Sequence, residues 1–275
     1  MRLIIDLPWI SVIIPTYGKV GVGLTDECIR SMRQTHSHLK IQIIVVDDGS
    51  PEADFNELLA VCQSYDGVEV VRNKVRSGFG KSCNTGLRLS NGICCFLVNN
   101  DITFEGSPAL QILADTMNAT NCGVVGTRLL YPDRRIQHAG VVFVPVKDQP
   151  IAGYWDHLLR FEQEYHHQAV CLRNTLVTGA LMGINRNAIQ MIGLLDERFG
   201  FAVEDIDYQL EVITAGLPVF YCGYTSAVHQ EGKTRGRTIE EKMALAPEAW
   251  KAEQEGLVKF FEKWKGIDWS RFSAG

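Results

Sequence analysis

Within the first 130 residues, four short apolar runs alternate with helix-length polar stretches: ISVIIP at 10–15, IQIIVV at 41–46, VEVV at 68–71 and ICCFLV at 93–98. Unbroken apolar runs this short are how strands read when both of their faces are buried. The intervening segments near 22–36, 52–64 and 79–90 have the length and polarity of helices. Strand, helix and strand at this spacing predict βαβ units, hence an α/β fold with a mainly parallel sheet covered by helices. Ligands of such sheets sit outside the carboxyl ends of the strands, so chemistry is expected just after each run.

The second half is less regular. VVFVPV at 141–146 and the stretch 172–177 read as further strands, with an aromatic and histidine-rich segment, 154–167, between them. A helix is expected from about Val203 to the AGLP at 215–218, a glycine-then-proline ending. The tail 247–265 has the pattern of an amphipathic helix, suited to packing on the domain or to resting on a membrane surface. Repeats, low-complexity stretches and linkers are missing from the sequence. One domain over 1–275 is therefore expected, divided at about 130 and again at about 240.

Composition narrows the partners. A net charge of -5, with no basic run longer than 233–237, argues against nucleic acid. Asp6 and Pro8 interrupt the apolar N-terminus, which reads as a strand entry and not as a secretion signal. No stretch approaches the roughly 18 apolar residues that cross a bilayer. The eight cysteines form no C-x-x-C pair and fall largely in apolar surroundings, the pattern of reduced, buried thiols in a cytoplasmic protein. The glycosylation acceptor pattern Asn118-Ala119-Thr120 is then a chance match.

Two familiar phosphate motifs fail on spacing. After the first strand, Gly21 and Gly23 match the start of G-x-G-x-x-G, but Asp26 stands where the third glycine belongs. The run Gly78-Phe79-Gly80-Lys81-Ser82 resembles a P-loop, yet Val75 occupies the place of its first glycine.

Three acidic clusters remain. Asp47 and Asp48 follow IIVV, Asp101 follows FLVNN, and Glu204, Asp205 and Asp207 open the helix after Val203. Carboxylates at the ends of neighbouring parallel strands share one crevice, and such a set makes sense around a cation or a protonated hydroxyl. Taken singly, each is also an ordinary turn or helix-start signal.

The ordered set SVIIPTYG, IIVVDDGS, NKVRSGFGKSCNTG, FLVNND, TGALMGINR, EDIDYQLEVITAG and VHQEG resembles glycosyltransferase family 2, from about residue 11 to 232. IQHAGVVF at 136–143 is similar to members that build bacterial cell-surface polysaccharides, rhamnosyltransferases among them. The resemblance implies the GT-A fold, with residues 1–130 as the nucleotide-sugar half and 131–240 as the acceptor and catalytic half. It implies an inverting transfer of a hexosyl or deoxyhexosyl group from a nucleotide-diphosphate sugar to a hydroxyl of a saccharide or lipid-linked saccharide. That setting is the cytoplasm or the inner face of the plasma membrane.

By the same resemblance, Pro15, Thr16, Tyr17 and Asn100 would lie against the nucleotide. Asp48, or alternatively Asp47, would accept the imide N–H of the base. Residues 78–84, Gly78 and Asn84 included, would approach the ribose and diphosphate, with Arg76 or Lys81 as charge partner. Asp101 ends the family's D-x-D motif and would bind Mg²⁺ or Mn²⁺, with His229 as a further ligand. Asn99 stands where the first aspartate of that motif usually is, and an amide is a weaker ligand for a hard cation. Asp205 would be the catalytic base, with Glu204 and Asp207 orienting it or holding acceptor hydroxyls.

Gly179 and Ala180 would let backbone pass close to the donor sugar. Tyr154, Trp155, His157, His166 and His167 would offer aromatic faces to the acceptor, and His138 with Gln137 would touch either substrate or cap a hairpin. The substitution at Asn99 also motivates a rival reading, a sugar- or nucleotide-sugar-binding protein of the same fold without turnover. A nucleotidyltransferase would need a Gly- and Arg-rich loop after the first strand, where PTYG stands.

Overall fold

The computed structural model describes residues 9–146, 153–165, 170–199, 202–233 and 239–273. The expected strand entry before residue 9, His166, His167, Gly200, Phe201 and most of the basic run 233–237 lie outside the described residues.

The first half follows the predicted alternation: β1 (Ile10–Thr16), α1 (Gly18–Thr35), β2 (Ile41–Asp47), α2 (Glu52–Gln63), β3 (Val68–Arg72), α3 (Phe79–Leu89) and β4 (Cys94–Val98). A two-residue strand, β5 (Ile102–Thr103), then leads to α4 (Ala109–Thr120) and β6 (Val124–Leu130). The second half holds β7 (Ile136–His138), β8 (Val141–Pro145), β9 (Gly153–His157), β10 (Cys171–Arg173) and β11 (Leu181–Asn185). It ends with α5 (Arg186–Ile192), α6 (Glu204–Thr214), β12 (Val219–His229), α7 (Ile239–Leu245) and α8 (Pro247–Lys263). The strand expected over 172–177 is shorter than its apolar pattern suggests: beyond Arg173 only Leu176 makes a bridge, to Val141.

Among the described residues one ten-stranded sheet runs through both halves, in the order β10-β12-β6-β11-β4-β1-β2-β3, with β5 on β12 and β7 on β6. β3, β2, β1 and β4 are mutually parallel, β6 and β12 are parallel to each other, and β11 enters antiparallel between β4 and β6. β8 and β9 form a separate hairpin.

Period-two alternation divides the core between the faces. Val12, Ile14, Ile43, Val45, Phe96 and Val98 meet α1, α2 and α4 through Ile29, Met32, Leu58, Leu110 and Met117. Ile13, Ile44, Val46, Cys95 and Leu97 meet α3, α5 and α6 through Cys83, Leu87, Ala188, Tyr208 and Val212. Helix α3 approaches β1 closely because residue 86 is glycine; a Cβ there would stand 2.3 Å from the Ile13 side chain.

The amphipathic tail packs on the domain. Phe260 is fully buried and, with Phe261, Trp264, Trp269 and Phe272, joins Phe199, Ile206, Leu210, Val141 and Trp155 in a third cluster. No helix among the described residues is long and apolar enough to cross a membrane. The eight cysteines are free thiols and seven are buried; Cys171 is exposed.

Candidate active site

A cleft of about 450 Å³ opens where β1, β2 and β4 end and α6 begins. Its lining includes Pro15, Thr16, Tyr17, Asp48, Arg76 and Gly78 on one side and Asn99, Asn100, Asp101 and His229 on the floor. Gly179, Ala180, Glu204, Asp205, His157 and Arg160 complete the opposite wall.

The end of β2 splits its two aspartates. Asp47 is fully buried and turned into its own loop, where it accepts Ser50 N–H at 3.1 Å and the Ser50 hydroxyl and pairs with Arg72 Nε at 3.3 Å. It does not line the cleft. Asp48 does, and its carboxylate accepts Ser77 N–H (2.9 Å), Gly78 N–H (2.9 Å), the Ser82 hydroxyl (2.9 Å) and Asn73 Nδ2 (3.1 Å). One side chain thereby shapes the turn into α3. Gly78, at φ 93°, supplies a backbone conformation that L-residues rarely adopt. Arg76 lies over the Tyr17 ring at 4.1 Å and lines the cleft, whereas Lys81 is exposed on α3 and Asn84 is buried behind it. The Asn84 amide bonds Leu195 N–H and C=O and Glu197, joining α3 to the loop before α6.

The floor is built by β1, β4 and β12. Asn100 Nδ2 donates to Thr16 Oγ1 at 2.9 Å, tying the end of β4 to the end of β1. His229 Nε2 lies 3.0 Å from Asp101 Oδ1, and its Nδ1 faces Gln137 Oε1 at 2.8 Å. The Gln137 side chain thus holds one ring nitrogen of His229 while the other stands beside the Asp101 carboxylate at the cleft floor. A side chain held against the far ring nitrogen in this way is how a metal-ligating histidine is oriented. The donor chemistry therefore fits a hard or borderline divalent cation that takes part of its coordination from other oxygens. Among the described residues no three His, Cys, Asp or Glu side chains converge on one point, so those further oxygens would come from a ligand.

The α6 side splits its acids in the same manner. Val203, a β-branched residue, precedes the helix in the left-handed region at φ 60°, a strained turn that lines the cleft. Asp205 then accepts Gly179 N–H at 2.6 Å and Ile206 N–H at 2.8 Å. A Cβ on Gly179 would stand 3.0 Å from Asp205 Cβ and 3.1 Å from its Oδ2. The glycine expected to make room for a sugar is thus required by the carboxylate. Glu204 is buried at the cleft wall. Asp207 points the other way, accepting Lys263 Nζ at 2.8 Å and Trp264 Nε1 at 2.7 Å from the tail. Burial raises its carboxyl above the usual range, and those two donors pull it partly back.

Two further expected contacts fall outside the lining. Trp155 sits in the aromatic cluster against Phe143, Phe260, Trp269 and Phe272. His138 is fully buried, edge-on to His157 and Tyr221, and neither of its ring nitrogens has a hydrogen-bond partner among the described residues. Burial holds it far below the usual histidine range and takes His157, whose Nδ1 faces Gln137 O at 3.1 Å, down to about 4. Tyr154 is half exposed on β9 and also stands apart from the cleft.

Sequence reasoning overlooked Arg160, Glu231 and Lys242. Arg160 pairs with Glu231 at 3.1 Å and donates to the Tyr131 hydroxyl at 2.9 Å; both charged residues line the cleft. Lys242, paired with Glu253, closes the rim from α7. No local motif marks Arg160 or Lys242, whereas Glu231 lies within VHQEG, where only His229 was given a role.

The profile of the family described as "Glycosyl transferase family 2" matches residues 11–191. The chain belongs to glycosyl transferase family 2. It is 30% identical over 233 residues to "Uncharacterized protein y4gI" of Sinorhizobium fredii, covering 83% of this chain and 25% of that protein. It is 24% identical over 243 residues to "O-antigen biosynthesis protein RfbC" of Myxococcus xanthus, covering 83% of this chain and 18% of that one. The chain thus spans a quarter or less of the length of these two relatives.

Its fold is GT-A. The mannosyltransferase PcManGT from Pyrobaculum calidifontis, solved with GDP-Man and Mn²⁺, superposes with a TM-score of 0.58 over 97% of this chain and 79% of that one at 13% identity. TarS of S. aureus superposes with a TM-score of 0.55 over 82% of this chain and 37% of that one, at 15% identity.

Proposed function

We propose that this family 2 glycosyl transferase moves a hexosyl or deoxyhexosyl group from a nucleotide-diphosphate sugar to a hydroxyl, with inversion. The observation that carries the reading is the convergence of Tyr17, Asp48, Asp101, His229 and Asp205 on one cleft at the carboxyl edge of the parallel sheet. The base would lie between Tyr17, backed by Arg76, and the loop that Asp48 holds. The diphosphate would lie over Asp101 and His229, which would hold Mg²⁺ or Mn²⁺. The solved neighbour that contains GDP-Man and Mn²⁺ supports that assignment. The cation would supply Lewis-acid stabilisation of the departing diphosphate.

Asp205 acts as the general base. It takes the proton of the acceptor hydroxyl while that oxygen attacks the anomeric carbon and the bond to the diphosphate breaks on the opposite face. Gly179 N–H and the start of α6 hold the carboxylate in register for that in-line geometry. Arg160 and His157, on the wall beside it, would position the acceptor. The likeness to an O-antigen biosynthesis protein supports a cell-surface saccharide, lipid-linked or free, as that acceptor, with transfer at the cytoplasmic face.

Melting of the purified chain with UDP, dTDP, GDP and CDP, each with and without Mn²⁺, tests the donor site. Ligand at 100 times its Kd adds about 2.7 kcal/mol, a rise of roughly 5–11 °C for a chain of this size. A rise with one diphosphate that needs Mn²⁺ and disappears in Asp101→Ala is expected. Stabilisation without release of the sugar to water or to any acceptor would instead favour a binding protein.

A further inference from the structure

β10 is an edge strand, paired antiparallel to β12 with Cys171 opposite Cys222, Leu172 opposite Tyr221 and Arg173 opposite Phe220. Two flanking hydrogen bonds set the phase of this ladder: Gly223 N–H donates to Val170 O and Asn174 N–H to Val219 O, both at 2.6 Å. Hydrogen-bonded and non-hydrogen-bonded pairs alternate along antiparallel strands, so Cys171 and Cys222 face each other at a non-hydrogen-bonded position. Directly opposite residues share a face of the sheet, and their Cα atoms at such positions are about 4.5 Å apart. That separation lies within the roughly 4.4–6.8 Å that a disulfide spans. Cys94 and Cys95, by contrast, are neighbours on one strand and pack into opposite faces.

Access distinguishes the pair as well. Cys171 is exposed while the other seven cysteines are buried, so a soluble oxidant meets this dithiol first. We propose that Cys171 and Cys222 are a modification site, a cross-strand dithiol that closes to a disulfide on exchange with a low-molecular-weight disulfide. The Cys171 thiolate attacks the small disulfide, forms a mixed disulfide and releases one small thiolate. The Cys222 thiolate then attacks the Cys171 sulfur and releases the second. Two protein thiols are oxidised, one small disulfide is reduced to two thiols, and the two protons pass to the departing thiolates. Desolvation, followed by the hydrogen bond to Cys222, pushes the Cys171 thiol up to about 12, so the exchange is slow at neutral pH. The closed bond fastens the sheet edge to the strand that ends at His229 and completes a ring enclosing both Gly179 and Asp205.

The test uses the full chain, reduced, then incubated with excess glutathione disulfide, acid-quenched, alkylated in denaturant and digested with trypsin. Peptides 161–173 and 199–233 each carry one of the two cysteines and no other. The expected result is a single linked pair joining those peptides, with the other six cysteines alkylated. In Cys171→Ser, a change at an exposed position, the link is absent and Cys222 is alkylated. Failure of the 161–173 to 199–233 link to form overturns the proposal, whether Cys171 stays reduced, stays capped by glutathione or pairs elsewhere.

Discussion

The end of β2 and the start of α6 each present a run of acids to the same cleft, and each divides it between chemistry and architecture. At β2, Asp48 faces the cleft while Asp47 closes the turn with Ser50 and Arg72. At α6, Asp205 faces the cleft while Asp207 anchors the tail through Lys263 and Trp264. The two cleft-facing carboxylates are held differently. Asp48 accepts four donors from residues 73–82, so its role is to shape a loop. Asp205 accepts one backbone N–H from Gly179, in the loop before β11, and one from Ile206 in its own helix, so it ties α6 to that loop at the cleft wall. Residue type and position at the cleft are shared, and what differs is which segments each carboxylate ties together.

Four measurements sharpen or break that contrast. Asp205→Asn keeps the shape but only one of the two acceptor oxygens, and is expected to lower kcat by about 10²–10⁴-fold with donor affinity nearly unchanged and a small fall in melting temperature. A variant with near-normal kcat would remove Asp205 from the mechanism. Asp207→Ala leaves Trp264 N–H without its acceptor inside the domain, at about 2 kcal/mol, and melting is expected roughly 4–8 °C lower. Donor affinity at a temperature where that variant is folded should match the parent; a selective loss of donor binding would contradict the purely architectural role.

Asp48→Asn replaces one acceptor oxygen by an NH₂ group facing N–H donors of the 77–78 turn. The donor KM is expected to rise about tenfold, the equivalent of about 1.4 kcal/mol, with a smaller change in kcat. An unaltered KM would show that the loop holds without it.

The last effect concerns acid. His157, held down to about 4 by burial and then by Arg160, takes up its proton in the unfolded chain near pH 6.5. A depressed folded value means stability that is full above about pH 6.5 and is lost as pH falls towards about 4, by at most about 1.4 kcal/mol per pH unit. His138 adds in the same direction. His157→Gln should flatten the fall in melting temperature over that window, and an unchanged slope would locate the titration elsewhere.

The parallel half was legible because its signal is local. Runs apolar on both faces can only be buried strands, and the breaks at 16–18, 47–50 and 99–101 are where the observed strands end. The acids after those strands were equally visible, but not which of each pair turns inward. Asp47 and Asp48 differ through Ser50, Arg72 and Asn73, contacts that depend on β3 lying alongside. The wall of Arg160, Glu231 and Tyr131 was illegible for the same reason: its members come from three distant segments and share no spacing. Trp155 and His138 misled because an aromatic or imidazole near an expected site reads the same whether it faces a ligand or a core.

The antiparallel entry of β11 also sets an order of assembly. β4 is apolar on both faces, and one of its edges finds its partner only when residues 181–185 return to it. At synthesis rates of roughly 5–20 residues per second, that edge waits about 4–17 s after β4 has been made. During that interval the nascent chain carries an unpaired hydrophobic strand, the kind that recruits strands from other chains. A fragment cut after β6 would lack residues 181–185 and so keep that edge of β4 without its native partner.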